Sequence, residues 1–236
     1  MKQHTTLSLA LIGLAWLSLP ALPAGQDGQK PTVALPKPGV SEIMTMEGNF
    51  VRAAYNNEGY VILGYQLANR SLGEEWMLLE VGMTVRDGVR NQTMKREAMS
   101  LDTPDGKRVP LATIAEHRDA DTRALQQRER VQRDSINYFP PMASQACRLG
   151  FFSEIDQRAM PWDEVELSRD RACVGRLYFK VPGGIAYGQH WLNVQFENSL
   201  IRVPFRILTK DEEKMLSKNY KSIKKQVDEA FKKKKK

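Results

Sequence analysis

Tyr187, His190 and Trp191 lie within one short stretch of the sequence and carry side chains suited to ligand binding. An imidazole titrates near neutral pH, and aromatic rings offer large flat contact surfaces. The three are therefore candidate ligand-binding residues, of a small-ligand binder or of a hydrolase. The alternative is that His190 only marks the start of a strand.

Pro182-Gly183-Gly184 precedes this stretch, with alternating apolar residues on both sides of it. A phosphate-binding loop needs a fixed glycine spacing and a helix that follows it, and neither is present. Pro and Gly together are typical of tight turns. The segment therefore predicts a corner between two strands, whose apolar faces carry Cys173, Leu177, Phe179 and Val181 in the first and Leu192, Val194 and Phe196 in the second.

The first residues have the layout of a cleaved secretory signal. Lys2 supplies a positive charge, an apolar run extends from Leu7 to Leu19, and cleavage is expected after Ala24. The apolar run is shorter than the ~20 residues of a membrane span, and an uncleaved anchor is the alternative. The sequence predicts a signal peptide over 1–24, a secreted or periplasmic protein, and a flexible, Pro- and Gly-containing linker over 25–46.

The predicted mature chain has two cysteines, Cys147 and Cys173. In an oxidising compartment an even pair of cysteines ordinarily forms a disulfide bond. Both fall at apolar positions of their predicted strands, which indicates a buried bridge between sheets. A metal pair or a nucleophile is the alternative, but a metal site needs further ligands, and the mature histidines are His117 and His190.

His117 lies among acidic residues, with Glu116, Asp119 and Asp121 close by in the sequence. On a helix, His117 and Asp121 would be one turn apart and could orient the imidazole or bind a metal weakly. Arginine neighbours offset these acids, which favours a solvated charged face. We expect no catalytic residues, no metal and no cofactor, because no nucleophile motif, metalloprotease helix or phosphate loop appears. This favours a protein that is not an enzyme, although scattered catalytic groups would escape such a search.

Period-two alternation of apolar residues predicts about eight to ten short strands between 47 and 209. One strand places Val61, Leu63, Tyr65 and Leu67 on a single face. The next places Met77, Leu79, Val81, Met83 and Val85 together, with Glu80, Thr84 and Arg86 on the opposite face. Pro204 cannot donate to a ladder, so the last strand is expected at a sheet edge.

Two segments favour helices instead of strands. Residues 113–134 lack alternation and contain many helix formers, which predicts one or two short surface helices. From Lys210 onward, three acidic residues in the first turn suit the positive end of a helix dipole. A rough apolar stripe then follows, formed by Met215, Tyr220, Ile223, Val227 and Phe231.

The net charge of +7 belongs almost entirely to the C-terminal segment. Residues 210–236 carry a net charge of +6, whereas 25–209 are balanced. The terminal run Lys232, Lys233, Lys234, Lys235 and Lys236 is therefore predicted to bind an anionic surface. The alternative is a solvated end that only aids solubility. The same charge would attract nucleic acid, but export favours lipid headgroups or anionic envelope polymers.

The stretches "NRSLGEEWMLLEVGMTV" and "GRLYFKVP" resemble immunoglobulin-like β-sandwich domains of uncharacterised exported bacterial proteins. In those domains an early strand follows a polar turn, and a late strand ends in an aromatic residue, any residue, Val and Pro. The resemblance extends from Glu47 to Thr209, with 113–134 as an insertion. It implies an all-β, immunoglobulin-like β-sandwich with a short helical insertion and a C-terminal helix, and it transfers no catalytic residues.

Three hypotheses about function follow from these observations. The first is a non-catalytic exported domain that binds a protein of the cell envelope, with the basic segment 210–236 in peripheral contact with an anionic surface. The second is a small-ligand-binding protein or hydrolase with its site near Tyr187, His190 and Trp191. The third is a structural accessory subunit of an envelope complex.

Overall fold

The computed structural model describes residues 43–154 and 160–234. The predicted signal peptide, 1–24, and most of the predicted linker lie outside these residues. The end of the predicted linker belongs to the first strand, which begins at Ile43.

The described residues form twelve strands, numbered in chain order. They are β1 (Ile43–Gly48), β2 (Val51–Tyr55), β3 (Gly59–Gly64), β4 (Trp76–Val85), β5 (Gln92–Lys95), β6 (Met99–Asp102), β7 (Arg108–Pro110), β8 (Gln145–Arg148), β9 (Glu164–Leu167), β10 (Arg171–Lys180), β11 (Gly188–Gln195) and β12 (Leu200–Ile207). The helices are α1 (Gln66–Arg70), α2 (Ile114–Asp119), α3 (Arg123–Val131) and α4 (Lys210–Lys234), with a 3₁₀ turn at Arg96–Ala98.

The strands pair into two larger sheets and one small one. The first has six strands in the order β1-β2-β3-β4-β10-β8, the second has four in the order β12-β11-β6-β7, and β5 pairs with β9. β12 lies at an edge, as its Pro204 predicts. The β-rich architecture with several sheets confirms the coarse fold class that the alternation predicted.

One hydrophobic cluster draws residues from both larger sheets. The six-stranded sheet contributes Leu79 and Leu177, which face each other across the β4–β10 pair, and the four-stranded sheet contributes Leu192 and Val203. Alternation puts one apolar face of each strand into this cluster. Each fully buried aliphatic side chain contributes roughly 1.5–3 kcal/mol, so the shared cluster is a main source of stability.

Strand β4 is buried on both faces. The face opposite Leu79 and Val81 carries Leu78, Glu80, Gly82 and Thr84, all of them buried. A second apolar cluster that includes Ile62 and Ile136 covers part of this outer face of the six-stranded sheet. A glutamate therefore lies in the middle of the sheet, away from bulk water.

Pro182-Gly183-Gly184 forms the corner between β10 of one sheet and β11 of the other. Gly183 and Gly184 have φ of 85° and 84°, in the left-handed region that favours glycine. A Cβ at Gly184 would lie 2.6 Å from the carbonyl oxygen of Gly73. The corner thus depends on close packing of backbone on backbone.

The strand predicted through Leu67 ends earlier, at Gly64. The backbone N–H of Gln66 donates to the Asp134 carboxylate at 2.7 Å, and α1 begins at Gln66 instead of a continued ladder. Tyr65 and Leu67 are nevertheless buried, as their apolar character requires. The two predicted strand positions are wrong, although both residues belong to the core.

The predicted helical segments contain helices. Residues 113–134 form α2 and α3, and α2 begins with a capping box in which Thr113 and Glu116 each accept a backbone N–H of the other. In α4, the Thr209 and Glu212 side chains bond each other's backbone N–H in the same way, at 3.3 and 2.9 Å.

Cys147 and Cys173 form a disulfide bond, which confirms the predicted pairing. The two residues lie opposite each other on the parallel strands β8 and β10, so the bridge joins neighbours within one sheet. The expectation of a bridge between sheets was wrong, because β8 adds to the edge of the six-stranded sheet next to β10. The bond is compatible with an oxidising extracellular or periplasmic compartment.

Replacing both cysteines by serine is expected to lower the free energy of unfolding by about 3 kcal/mol, because the bridge constrains the unfolded chain over a separation of 26 residues. Urea denaturation of the double variant and of the wild-type protein measures the difference. Thiol labelling of the unfolded, unreduced wild-type protein serves as a control and should detect no free cysteine. Two labelled thiols would contradict the assignment.

Candidate functional site

The structure separates the three residues that the sequence grouped as a candidate ligand site. His190 and Trp191 are successive residues of β11, so their side chains lie on opposite faces of the sheet. His190 is fully buried, whereas Tyr187 lies before the strand and is half exposed. Trp191 packs under Arg202, whose guanidinium carbon lies 4.7 Å from the ring centroid. A ligand role for these residues stays a prediction.

The His190 ring is packed in the core. It stacks on Phe205 with 5.3 Å between ring centroids, and its Nδ1 lies 3.1 Å from the Gly188 carbonyl oxygen. Its Nε2 has no hydrogen-bond partner among the described residues. Burial lowers the pKa of the His190 imidazole, which favours the neutral ring at neutral pH.

Helix α4 presents a continuous row of lysines, which we call the lysine face. At 3.6 residues per turn these residues fall within an arc of roughly 80° and span about 22 Å of helix. All of their side chains are exposed. The lysine face consists of Lys210, Lys214, Lys218, Lys221 and Lys225.

The other side of α4 faces the protein. Leu216 and Tyr220 are partly buried, and burial raises the pKa of the Tyr220 phenol. Ser217 lies 3.4 Å from the Asn49 amide nitrogen, and Lys224 lies 3.9 Å from a Glu47 carboxylate oxygen. These contacts attach α4 beside β1 and leave the lysine face in solvent.

The terminal lysines extend the same helix. The backbone of Lys232, Lys233 and Lys234 is helical, whereas Lys235 and Lys236 lie outside the described residues. The sequence predicted that the basic segment 210–236 contacts an anionic surface and named the terminal lysines as the binding residues. The regular spacing of the five lysines of the lysine face indicated a longer charged surface on the same helix. The prediction from the sequence did not include that spacing.

A cluster of charged side chains lies under α3, on the outer face of the six-stranded sheet. We call Glu80, Glu129, Glu154 and Arg176 the carboxyl cluster. Glu80 comes from β4, Arg176 from β10 and Glu129 from α3, so the cluster links the helix to the sheet. Glu129 is fully buried, and Glu80 is 5% exposed.

The Glu80 carboxyl accepts two hydrogen bonds and lies against a second carboxyl group. Its carboxylate accepts the backbone N–H of Asp134 at 2.7 Å and the Arg133 Nε at 3.2 Å, and it also meets the Glu129 carboxyl. Burial, followed by this contact with Glu129, raises the pKa of Glu80 to about 8. Glu80 is therefore largely protonated at neutral pH.

Arg176 connects the cluster to the surface. Its guanidinium lies 2.6 Å from Glu129 Oε2 and also pairs with Glu154. Glu154 in turn lines an open pocket of about 690 Å³, together with His117, Gln126 and Phe152. The pocket thus lies directly above one end of the carboxyl cluster.

His117 is buried, so the expectation of a solvated charged face was wrong for this residue. Its ring centroid lies 4.4 Å from that of Tyr178 and 4.9 Å from that of Phe152, and its Nε2 lies 3.3 Å from the Thr122 hydroxyl. Burial, aided by the charge of Arg96, lowers the pKa of His117 to about 4. The His117 side chain faces β10, whereas its acidic neighbours are solvated.

The carboxyl cluster was not predicted from the sequence, although the residue pattern of β4 indicated part of it. Leu78 and Gly82 share the face of Glu80 in strict alternation, and neither residue type is typical of a solvated strand face. That pattern indicated a covered second face with an acid inside it. The partners from α3 and β10 are distant in sequence and gave no such signal.

Among the described residues, no group of His, Cys, Asp or Glu side chains is arranged to hold a metal ion. Within the same part of the chain, no helix is long and apolar enough to cross a membrane. Comparisons of the chain with protein-family models, curated proteins and solved structures found no match.

His117→Phe is expected to remove part of the acid sensitivity of the protein. Because the pKa of His117 is lower when folded than the ordinary 6.5, the unfolded chain binds more protons between about pH 4 and 6.5. Wild-type stability therefore falls as the pH drops through this window, by about 3 kcal/mol from this residue. The phenylalanine variant keeps the aromatic contacts and should lose that slope in urea unfolding measured at a series of pH values. Equal slopes would contradict the assignment.

Proposed function

We propose that this protein is an exported, non-catalytic binding domain of the cell envelope that contacts an anionic surface through the lysine face of α4. The observation that carries the proposal is the alignment of five exposed lysines on one side of a helix whose other side packs on the body. The disulfide bond, which is compatible with an oxidising extracellular or periplasmic compartment, and the β-rich body support it. Within this proposal the two larger sheets form an immunoglobulin-like sandwich around their shared core.

Charge distribution supports a surface contact by α4 and not by the body. Residues 25–209 are electrically balanced, whereas 210–236 carry a net charge of +6. Near an anionic membrane each basic residue contributes on the order of 1 kcal/mol, and the contribution is screened by salt. Five lysines in one row can meet a flat surface together, which a disordered tail does only at an entropic cost.

The acidic residues of α4 offset only part of its positive charge: Asp211 lies 3.7 Å from Lys214 of the lysine face, and Asp228 and Glu229 follow further along the helix. Asp211, Glu212 and Glu213 are in the first turn, where they stabilise the helix N-terminus, and Glu212 is also paired with Arg206 at 2.8 Å. The partner we propose is therefore an anionic lipid surface, with a protein of the envelope bound by the β-rich body. Nothing in the geometry of the buried, neutral His190 favours the hydrolase alternative.

The triple variant Lys218→Gln, Lys221→Gln and Lys225→Gln is expected to weaken binding to vesicles that contain phosphatidylglycerol roughly a hundredfold, at about 1 kcal/mol per lysine. Vesicle co-sedimentation at low and high salt measures the change. Wild-type protein should bind neither pure phosphatidylcholine vesicles nor, at high salt, the anionic ones.

The matched control neutralises Lys95, Lys107 and Lys180, three exposed lysines of the body, and changes the net charge by the same amount. It should bind like the wild-type protein. If both triple variants lose affinity equally, only the net charge matters and the lysine face is not the contact. A chain ending at Thr209 that still binds anionic vesicles would also overturn the proposal.

A further inference from the structure

Helix α3 contacts the six-stranded sheet through the apolar Leu125, which belongs to the main cluster, and through the buried carboxylate of Glu129. Both oxygens of Glu129 are buried, and neither receives a well-oriented hydrogen bond from the described donors. Arg176 lies 2.6 Å from Glu129 Oε2, and the largely exposed Arg133 lies 3.8 Å from Glu129 Oε1. A buried carboxylate oxygen without a close donor is costly, so a further proton donor at this position would stabilise the site.

Glu80 is the group in position to supply that donor. The two carboxyls lie side by side, because the Arg133 Nε is 3.2 Å from Glu80 Oε1 and 3.8 Å from Glu129 Oε1. The Glu80 oxygens already accept the Asp134 backbone N–H and the Arg133 Nε. Two carboxylates in contact away from water do not both ionise at neutral pH. A proton on Glu80 removes one negative charge and donates a hydrogen bond to Glu129.

The other charged groups around the pair do not replace this proton. From β10, Arg176 is shared between Glu129 and Glu154, and Tyr178 has a buried hydroxyl whose pKa is raised by desolvation. From the segment after α3, Arg133 is 61% exposed, which screens its charge, and Asp134 adds a further acid. Burial raises the pKa of Asp134 to about 6, so it is charged before Glu80 loses its proton.

We propose that the proton shared by Glu80 and Glu129 latches α3 onto the sheet, and that its loss in alkaline medium releases α3 while the sheets stay folded. The raised pKa of Glu80, about 8, sets the range in which this occurs.

The remaining contacts of α3 are few enough for local release. The helix has nine residues, too short to be stable alone, and its N-cap Thr122 makes no side-chain capping bond. Besides Glu129, its buried side chains are Leu125 and Gln126. Its outer ion pair, Arg128 with Glu74 at 2.5 Å, is partly exposed and contributes little. In contrast, β4 is paired on both sides, with β10 over residues 76–83 and with β3 over residues 80–85.

Hydrogen exchange of the full chain, followed by mass spectrometry at about pH 6 and about pH 9 and corrected for intrinsic rates, tests the latch. In the wild-type protein, amides of α3 should exchange about tenfold faster or more at the higher pH, since each pKa unit is a factor of ten. Amides of β11 should not change. Equal corrected rates for α3 at both pH values would overturn the proposal.

Glu80→Gln mimics the protonated acid, because its amide accepts the Asp134 N–H and donates to Glu129 at every pH. Its α3 should exchange slowly at both pH values, and an acceleration equal to that of the wild-type protein would overturn the proposal. If this variant does not fold, Glu129→Gln removes the same carboxyl pair and should likewise abolish the pH dependence.

Glu58→Gln is the matched control. Glu58 is also buried, but its carboxylate is bonded by the amides of Gln92 and Asn198 and not by another acid. This variant should be less stable at both pH values and keep the wild-type acceleration of α3. Loss of the acceleration in this control would show that any buried glutamate has the same effect, which contradicts the latch.

Discussion

The buried carboxyl of Glu80 is the constraint on which the outer half of this structure depends. β4 is the fourth strand of a six-stranded sheet, and its outer face is covered, so the acid cannot reach bulk water. The groups that pack directly against this carboxyl must therefore provide a donor, a charge or a proton. The segment that follows α3 provides a backbone N–H and the Arg133 side chain, and α3 provides Glu129. Replacing such a group of buried ionic side chains by apolar residues is often neutral or stabilising, so the cluster is weak evidence of added stability.

The two proposals assign different tasks to the two helical parts of the protein. The lysine face of α4 is an exposed surface whose effect depends on salt and on the charge of the partner. The carboxyl cluster is buried, so salt screens it weakly and pH controls it. β4 contributes to both sides of this arrangement, since its inner face belongs to the shared core and its outer face holds the cluster. The shared core is what lets a region such as α3 loosen without general unfolding.

Local sequence signals predicted the features that depend on neighbouring residues. Pro182 and the glycines after it predicted the corner, Pro204 predicted an edge strand, and two cysteines predicted a disulfide. Features set by distant contacts were missed, because a pattern along one strand does not say what lies against it. The parallel pairing of β8 with β10 turned the expected bridge between sheets into a bridge within one sheet. Likewise, His117 is buried against Tyr178 of β10 and Phe152 of the segment after β8, which its acidic sequence neighbours did not indicate.

The most direct test of the central claim is a carbon-13 NMR titration of the Glu80 side-chain carboxyl in the full chain, assigned by comparison with Glu80→Gln. The account predicts a carboxyl that stays protonated through neutral pH and titrates with a pKa of about 8. Titration near the ordinary value of 4.5 would contradict it. In that case the Glu80–Glu129 contact would be a fully ionised pair, and no proton would hold α3 on the sheet.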